Sequence, residues 1–155
     1  EKYGSQGKGE LADLQPALGT REHRQCRFWM HYAEGSLMGW LLMKLVFTTI
    51  PKRPMPFFAR PIARGLCGKV QETLVDPNLK TASDFMEEHL GRNRWFSGAD
   101  LTMADFQMSY PIEALLTRAA DPGSYPRIRD FRDRVRARPA YQRAEAKGGP
   151  AIPSF

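Results

Sequence analysis

Residues 98–106 of this 155-residue chain read Gly-Ala-Asp-Leu-Thr-Met-Ala-Asp-Phe, and they predict the start of a helix. Thr102 and Asp105 stand three residues apart before an apolar segment, which is the spacing of an N-terminal capping box. In a capping box the Thr102 hydroxyl accepts the backbone N–H of Asp105, and the Asp105 carboxylate accepts the backbone N–H of Thr102. The box accounts for Asp105 as a structural residue, without a catalytic role.

Apolar residues recur at helical spacing along most of the chain, and none of its segments alternates in the manner of a strand. Thr20 is the expected N-cap of the first and longest helix. Pro51, Pro54 and Pro56 interrupt the pattern and predict a stiff loop. The predicted helices span residues 20–46, 57–75, 76–91, 102–120, 127–138 and 140–146. The sequence therefore predicts an all-α helical bundle.

The composition is that of an ordinary globular domain, with 42% hydrophobic and 26% charged residues. A chain of this length forms one domain with a sizeable core. Its two cysteines, Cys26 and Cys67, do not suggest a disulfide framework, and we expect a cytoplasmic protein. The longest apolar stretch, residues 37–46, is interrupted by Lys44 and is too short to span a bilayer, so no membrane partner is expected.

The net charge of +6 raises the question of a nucleic-acid partner. Much of the excess lies in one segment, in which arginine occupies positions 127, 129, 132, 134, 136 and 138. Ile128, Phe131 and Val135 share one face of that segment, and Arg129–Asp133 and Asp130–Arg134 are four residues apart. The pattern is typical of a solvated amphipathic helix, so nucleic acid is not the expected partner.

Four segments together resemble one known family. Residues 95–105 (WFSGADLTMAD) are similar to the signature of the helical C-terminal domain of glutathione transferases. Residues 28–37 (FWMHYAEGSL) resemble the first long helix of that domain in bacterial members. Residues 125–128 (YPRI) and 138–144 (RPAYQRA) resemble its closing helices. The resemblance covers nearly the whole chain and implies the same all-helical fold.

The resemblance also implies a domain organisation. In this family a preceding thioredoxin-like domain carries the catalytic Ser, Tyr or Cys and most of the glutathione site. We therefore expect residues 1–19, with four glycines, to connect to that domain, and residues 20–155 to form the helical domain. On this interpretation the chain itself holds no catalytic residue, and it is a piece of a larger transferase.

The first long helix carries the candidate binding residues, which are His31, Tyr32, Gly35, Ser36, Met38 and Gly39. Helical spacing predicts that His31, Gly35 and Met38 share one face. By resemblance, His31, Gly35, Ser36 and Met38 lie close to glutathione, and Gly39 helps to line the pocket for the hydrophobic co-substrate. Tyr32 and Met38 would form part of the apolar wall of that pocket. The alternative from the residues alone is that Tyr32 and Met38 are core and that His31 is a structural histidine.

Metal chemistry has little support in the sequence. His23 and Cys26 stand three residues apart, a spacing that suits two ligands, but no second pair accompanies them and His89 is isolated. Cys26 has no neighbour that would make it a nucleophile. We expect no metal site.

The function implied by the resemblance is conjugation of glutathione to apolar electrophiles, hence detoxification, in a homodimer to which this domain contributes part of the second pocket. A different class remains open, because transferase-like helical domains also serve as non-catalytic modules in protein or RNA assembly. A third possibility is a helical domain that binds a ligand on its own. Fold alone does not choose the reaction, since one scaffold hosts several.

Overall fold

The computed structural model describes residues 14–121 and 123–152. In these ranges the chain is a bundle of helices without a β-strand. The predicted all-α fold is confirmed. The helices are α1 Arg21–Tyr32, α2 Gly39–Thr49, α3 Ala59–Val70, α4 Asp76–Arg92, α5 Met103–Arg118, α6 Pro126–Arg136 and α7 Pro139–Gly148. Two π-helical segments lie at Ala33–Met38 and Gln71–Val75, and a 3₁₀ turn lies at Ile50–Lys52.

The first long helix begins where the sequence predicted it. The Thr20 side chain accepts the backbone N–H of His23 at 3.1 Å, which satisfies one of the free donors at the start of α1. α1 and α2 are joined through the first π segment, Ala33–Met38, without a change to extended backbone. The helical run ends at Thr49, three residues beyond the predicted Val46.

The third predicted helix starts at Asp76, as α4 does, but the chain stays helical through the junction with the second helix. Asp76 stands before Pro77, and a proline disfavours helical backbone in the residue before it. Instead Asp76 is helical, with φ −66° and ψ −40°, and its N–H donates to the carbonyl of Gln71, five residues back. The wider π turn Gln71–Val75 therefore joins α3 to α4 across the proline.

The core forms where α1, α4, α5 and α6 meet. Trp29 and Phe96 are fully buried and their rings lie 4.6 Å apart. Phe131 from α6 contacts Phe96 edge-on at 4.9 Å, and Ile128 and Val135 are buried beside it, as the pattern of α6 predicted. Such aromatic pairs each contribute roughly 0.5–1.5 kcal/mol beyond the burial of their area.

The start of α5 is a buried, hydrogen-bonded junction, and the predicted capping box is present. The Asp105 carboxylate accepts the N–H of Thr102 at 2.8 Å, and its second oxygen accepts the N–H of Phe96 at 2.8 Å. The Thr102 hydroxyl also reaches the carboxylate, at 3.2 Å, and meets the Ser97 hydroxyl at 2.7 Å. Asp105 thus fixes both the helix and the turn that precedes it.

Burial of Asp105 has an electrostatic consequence. The side chain is completely shielded from solvent, and desolvation raises the pKa of its carboxyl from 3.8 to about 6, against the opposing effect of the hydrogen bonds it accepts. The carboxylate is therefore held in the protein at a cost in solvation free energy that its three donors offset in part.

The predicted connector lies partly outside the described residues, which begin at Leu14. The Leu14 carbonyl accepts the N–H of Met103, at 3.0 Å, which connects Leu14 to the start of α5. Gly19 has φ +84°, which an L-residue with a side chain rarely adopts, and it turns the chain into α1. Among the described residues, none of the helices is long and apolar enough to cross a membrane.

Candidate functional site

The candidate binding residues cluster in and around the first π segment, which follows α1 directly. Gly35, Ser36 and Met38 lie inside it, while His31, Tyr32 and Gly39 flank it. Ala33 and Leu37 are fully buried and fix the segment to the core. π turns are rare and occur often at functional sites, because the extra residue per turn changes which side chains face outward.

Four of the six candidates form an open surface. His31, Gly35, Ser36 and Gly39 are all exposed. A Cβ atom placed on Gly35 or Gly39 would meet nothing within 4 Å, so within the described chain neither glycine is required for close packing. The His31 side chain is exposed as well, so it is not packed in the core.

Tyr32 and Met38 behave differently, since both are half-buried and pack against the core. The Tyr32 ring lies 5.1 Å from that of Trp29 and 5.7 Å from that of Phe85. Burial raises the pKa of the Tyr32 phenol, which keeps the hydroxyl protonated at neutral pH. Met38 is therefore less exposed than His31 and Gly35, with which helical spacing predicts a common face.

A hydrogen bond that no sequence pattern predicts connects this segment to α5. Gln107 donates its side-chain N–H to the Glu34 carboxylate at 2.7 Å, across 73 residues of sequence. Glu34 therefore places a negative charge and a fixed hydrogen bond beside Gly35 and Ser36. Glu34 could have been recognised as a candidate from the sequence because it precedes Gly35. Gln107 could not, because it lies 73 residues away.

The residues considered as metal ligands have other surroundings. His23 and Cys26 are buried in α1, and Cys67 is a buried free thiol in α3. The His89 ring stacks on Phe96, with the planes 6° apart, and its Nε2 lies 2.9 Å from the Phe96 carbonyl oxygen. Burial is the main cause that lowers the pKa of His89. Among the described residues no group of three His, Cys, Asp or Glu side chains is placed to hold a metal ion.

Arginines of α6 are largely engaged within the domain. Arg136 makes a two-pronged bond to Glu113 of α5, at 2.6 and 3.1 Å, and Glu113 is only 5% exposed. Arg132 pairs with the neighbouring Asp133 at 2.8 Å. Arg134 donates to the Arg94 carbonyl at 2.7 Å and lies over the Trp95 ring. The expected four-residue spacings, Arg129–Asp133 and Asp130–Arg134, are therefore not the pairs that form within 4 Å in the described helix.

Comparison with known proteins identifies the family to which this helical domain belongs. The family model described as "Glutathione S-transferase, C-terminal domain" matches residues 66–143. Glutathione S-transferase 1 of Saccharomyces cerevisiae is 26% identical over 125 residues, which are 79% of this chain and 53% of the yeast protein. Glutathione S-transferase 3 of Schizosaccharomyces pombe is 28% identical over 146 residues, 94% of this chain and 57% of that protein. The chain thus spans little more than half the length of these curated relatives.

Solved structures agree on the fold. Glutathione S-transferase III, solved in its apo form, superposes with a TM-score of 0.62 at 21% identity, over 99% of this chain and 65% of that one. A glutathione S-transferase from Actinobacillus pleuropneumoniae gives a TM-score of 0.58 at 21% identity, over 86% of this chain and 54% of that chain. At this level of identity the likeness establishes the arrangement of helices.

Proposed function

Because the chain belongs to the glutathione S-transferase C-terminal domain family, we propose that it is the helical half of a transferase that conjugates glutathione to apolar electrophiles. The family match carries this proposal, and the two yeast relatives named as transferases support it. In the reaction the thiolate of glutathione attacks an electrophilic carbon, the C–S bond forms and the leaving group departs with its electron pair. Activation of the thiol belongs to the thioredoxin-like domain of the whole protein.

In this proposal the surface around the first π segment faces bound glutathione. The exposed His31 imidazole and Ser36 hydroxyl offer polar contacts to the tripeptide, and Gly35 lets the backbone approach it closely. Tyr32 and Met38 form apolar wall, and a flexible methionine suits electrophiles of varied shape. Gly39 leaves room for the co-substrate on the same side of the helix.

A homodimer is part of the proposal. Large apolar side chains are exposed on α2, on α3 and on the loop that joins them; they are Leu42, Val46, Ile50, Phe57, Phe58, Ile62 and Leu66. Apolar exposure of this extent on adjacent helices is typical of an interface. Sedimentation of the Ile62→Asp variant should show a monomer where the parent protein is a dimer, and a dimer with unchanged dissociation would remove α3 from the interface.

We also place the protein in the cytoplasm, where conjugation would detoxify electrophiles. Cys26 and Cys67, both buried free thiols, are compatible with that reducing compartment.

The test is steady-state kinetics of the full-length protein with glutathione and an aryl halide. Ser36→Ala and His31→Ala should each raise the KM for glutathione and leave the melting temperature nearly unchanged, because both residues are exposed. Thr81→Ala, on an exposed position of α4, is the matched control and should retain the parent KM. An unchanged KM in both variants would remove them from the site, and absence of conjugation in the parent protein would overturn the enzyme itself.

A further inference from the structure

An arginine-rich cavity lies between the end of α4 and α6, and none of its lining residues belongs to the first π segment. Its volume is about 280 Å³. The lining residues are Leu90, Gly91, Arg92, Asn93, Arg94, Arg127, Asp130 and Arg134. Four arginines and one acidic residue, Asp130, therefore line this space. A second cavity, of about 320 Å³, contrasts with it, because its two lysines, Lys44 and Lys80, each hold a carboxylate at 2.6 Å.

Most of the positive charge in the arginine cavity is not neutralised by ion pairs. Arg92 pairs with Glu88 at 2.6 Å. None of the ion pairs within 4 Å in the described ranges involves Arg94, Arg127 or Asp130. The remaining guanidinium groups thus retain donors for an incoming anion.

Arg134 is fixed at the inner side of this group. Its Nη2 donates to the Arg94 carbonyl at 2.7 Å, and its guanidinium carbon lies 5.3 Å from the centre of the Trp95 ring. Its Nε is buried, and no partner lies within hydrogen-bonding distance among the described residues. Burial, chiefly, and the charge of Arg94 lower the pKa of Arg134, whereas Asp130 opposes them. Arg134 is therefore a partly buried cation that lies near the like charge of Arg94.

We propose that this cavity binds a phosphate group, held by Arg94, Arg127 and Arg134. Guanidinium groups match the oxygen geometry of phosphate with paired N–H donors, and an anion between them would relieve their mutual repulsion. The cavity has the volume of roughly nine water molecules at ~30 Å³ each, which leaves room for a phosphate and its remaining hydration. The phosphate is either the free ion or the terminal group of a phosphomonoester.

Equilibrium dialysis of the full-length protein against labelled inorganic phosphate tests the proposal, with ionic strength held constant by sodium chloride. We expect saturable binding that weakens at least tenfold in Arg94→Gln and in Arg127→Gln, both of which are exposed positions where folding should be unaffected. Arg132→Gln removes the same charge from the same helix but from a residue paired with Asp133, and it should bind as the parent does.

Competition with glycerol 3-phosphate distinguishes the sources. Displacement of the labelled ion would assign the site to phosphomonoesters as well, and retention would assign it to the free ion. Binding that does not saturate, or that weakens equally in all three variants, would overturn the proposal by showing only general attraction to a basic domain. Glutathione conjugation by the same variants is a separate measurement, so failure here leaves the proposed transferase activity untouched.

Discussion

The start of α5 and the first π segment differ in solvent exposure: the first is buried, and the second carries exposed residues. At the start of α5 every interacting group is buried, and Asp105 satisfies two backbone donors and one hydroxyl. Around the first π segment, Gly35, Ser36 and Gly39 are exposed, and a Cβ atom on either glycine would meet nothing within 4 Å. The buried Asp105 carboxylate, whose hydrogen-bond partners all lie inside the domain, stabilises the fold. The exposed small residues of the first π segment instead leave a surface to which a ligand can bind.

Removal of the Asp105 carboxylate should have the largest effect. Asp105→Ala leaves the backbone N–H groups of Phe96 and Thr102 buried without an acceptor, at about 1–3 kcal/mol each, so we expect a loss of about 4 kcal/mol in the free energy of unfolding. Urea denaturation measures it. Asp100→Ala, at an exposed position of the preceding turn, is the control and should change little. Equal stability of the two variants would contradict the structural role of Asp105.

The pH dependence of stability provides a second test of the buried Asp105 carboxyl. Because the pKa of Asp105 rises from 3.8 in the unfolded chain to about 6, the folded state binds the extra proton between these values. The extra stability that protonation of this carboxyl supplies is fully present below pH 3.8 and is lost as the pH rises through 6, by about 3 kcal/mol for the whole shift.

Denaturation of the parent and of Asp105→Asn from pH 4 to pH 7 would reveal this loss. The amide does not titrate, so the stability of the parent relative to the variant should fall with increasing pH. A difference that stays constant across the range, or grows, would show that the hydrogen bonds to the carboxylate outweigh its desolvation.

A glycine in the open surface should respond in the opposite direction. Gly39 has ordinary helical φ and ψ, so Gly39→Ala should increase the free energy of unfolding by up to about 1 kcal/mol. In the proposed transferase the same methyl group should raise the KM for the electrophile. Gly91→Ala, another exposed helical glycine, should stabilise without this kinetic effect. If both variants keep the parent KM, Gly39 lies outside the pocket.

The bond between Glu34 and Gln107 should matter least for stability. Gln107→Ala removes one exposed hydrogen bond and should cost about 0.5 kcal/mol. Faster amide hydrogen exchange in residues 33–38, with little change elsewhere, would show that the bond holds the first π segment in place. Gln142→Ala, on the exposed side of α7, is the matched control, and equal exchange in the two variants would contradict this role.

Features that depend on neighbours in sequence were predicted well. The caps at Thr20 and Thr102 rest on side chains that bond backbone three residues away, so their spacing is visible in the sequence. The buried face of α6 follows from periodicity for the same reason. The helix start at Asp76 was also predicted, but the π turn that keeps the chain helical across Asp76 and Pro77 was not.

By itself the sequence determined an all-helical domain, its helix starts and its resemblance to a family, since these depend on short-range hydrogen bonds and apolar spacing. The tertiary structure alone decided which face of the first π segment is open, that Gln107 bonds to Glu34, and that Arg94 and Arg134 come together in one cavity. Contacts between residues some 40 to 73 positions apart leave no periodic trace in the chain. They exist only once the helices have packed, because packing fixes which side chains meet and which remain exposed.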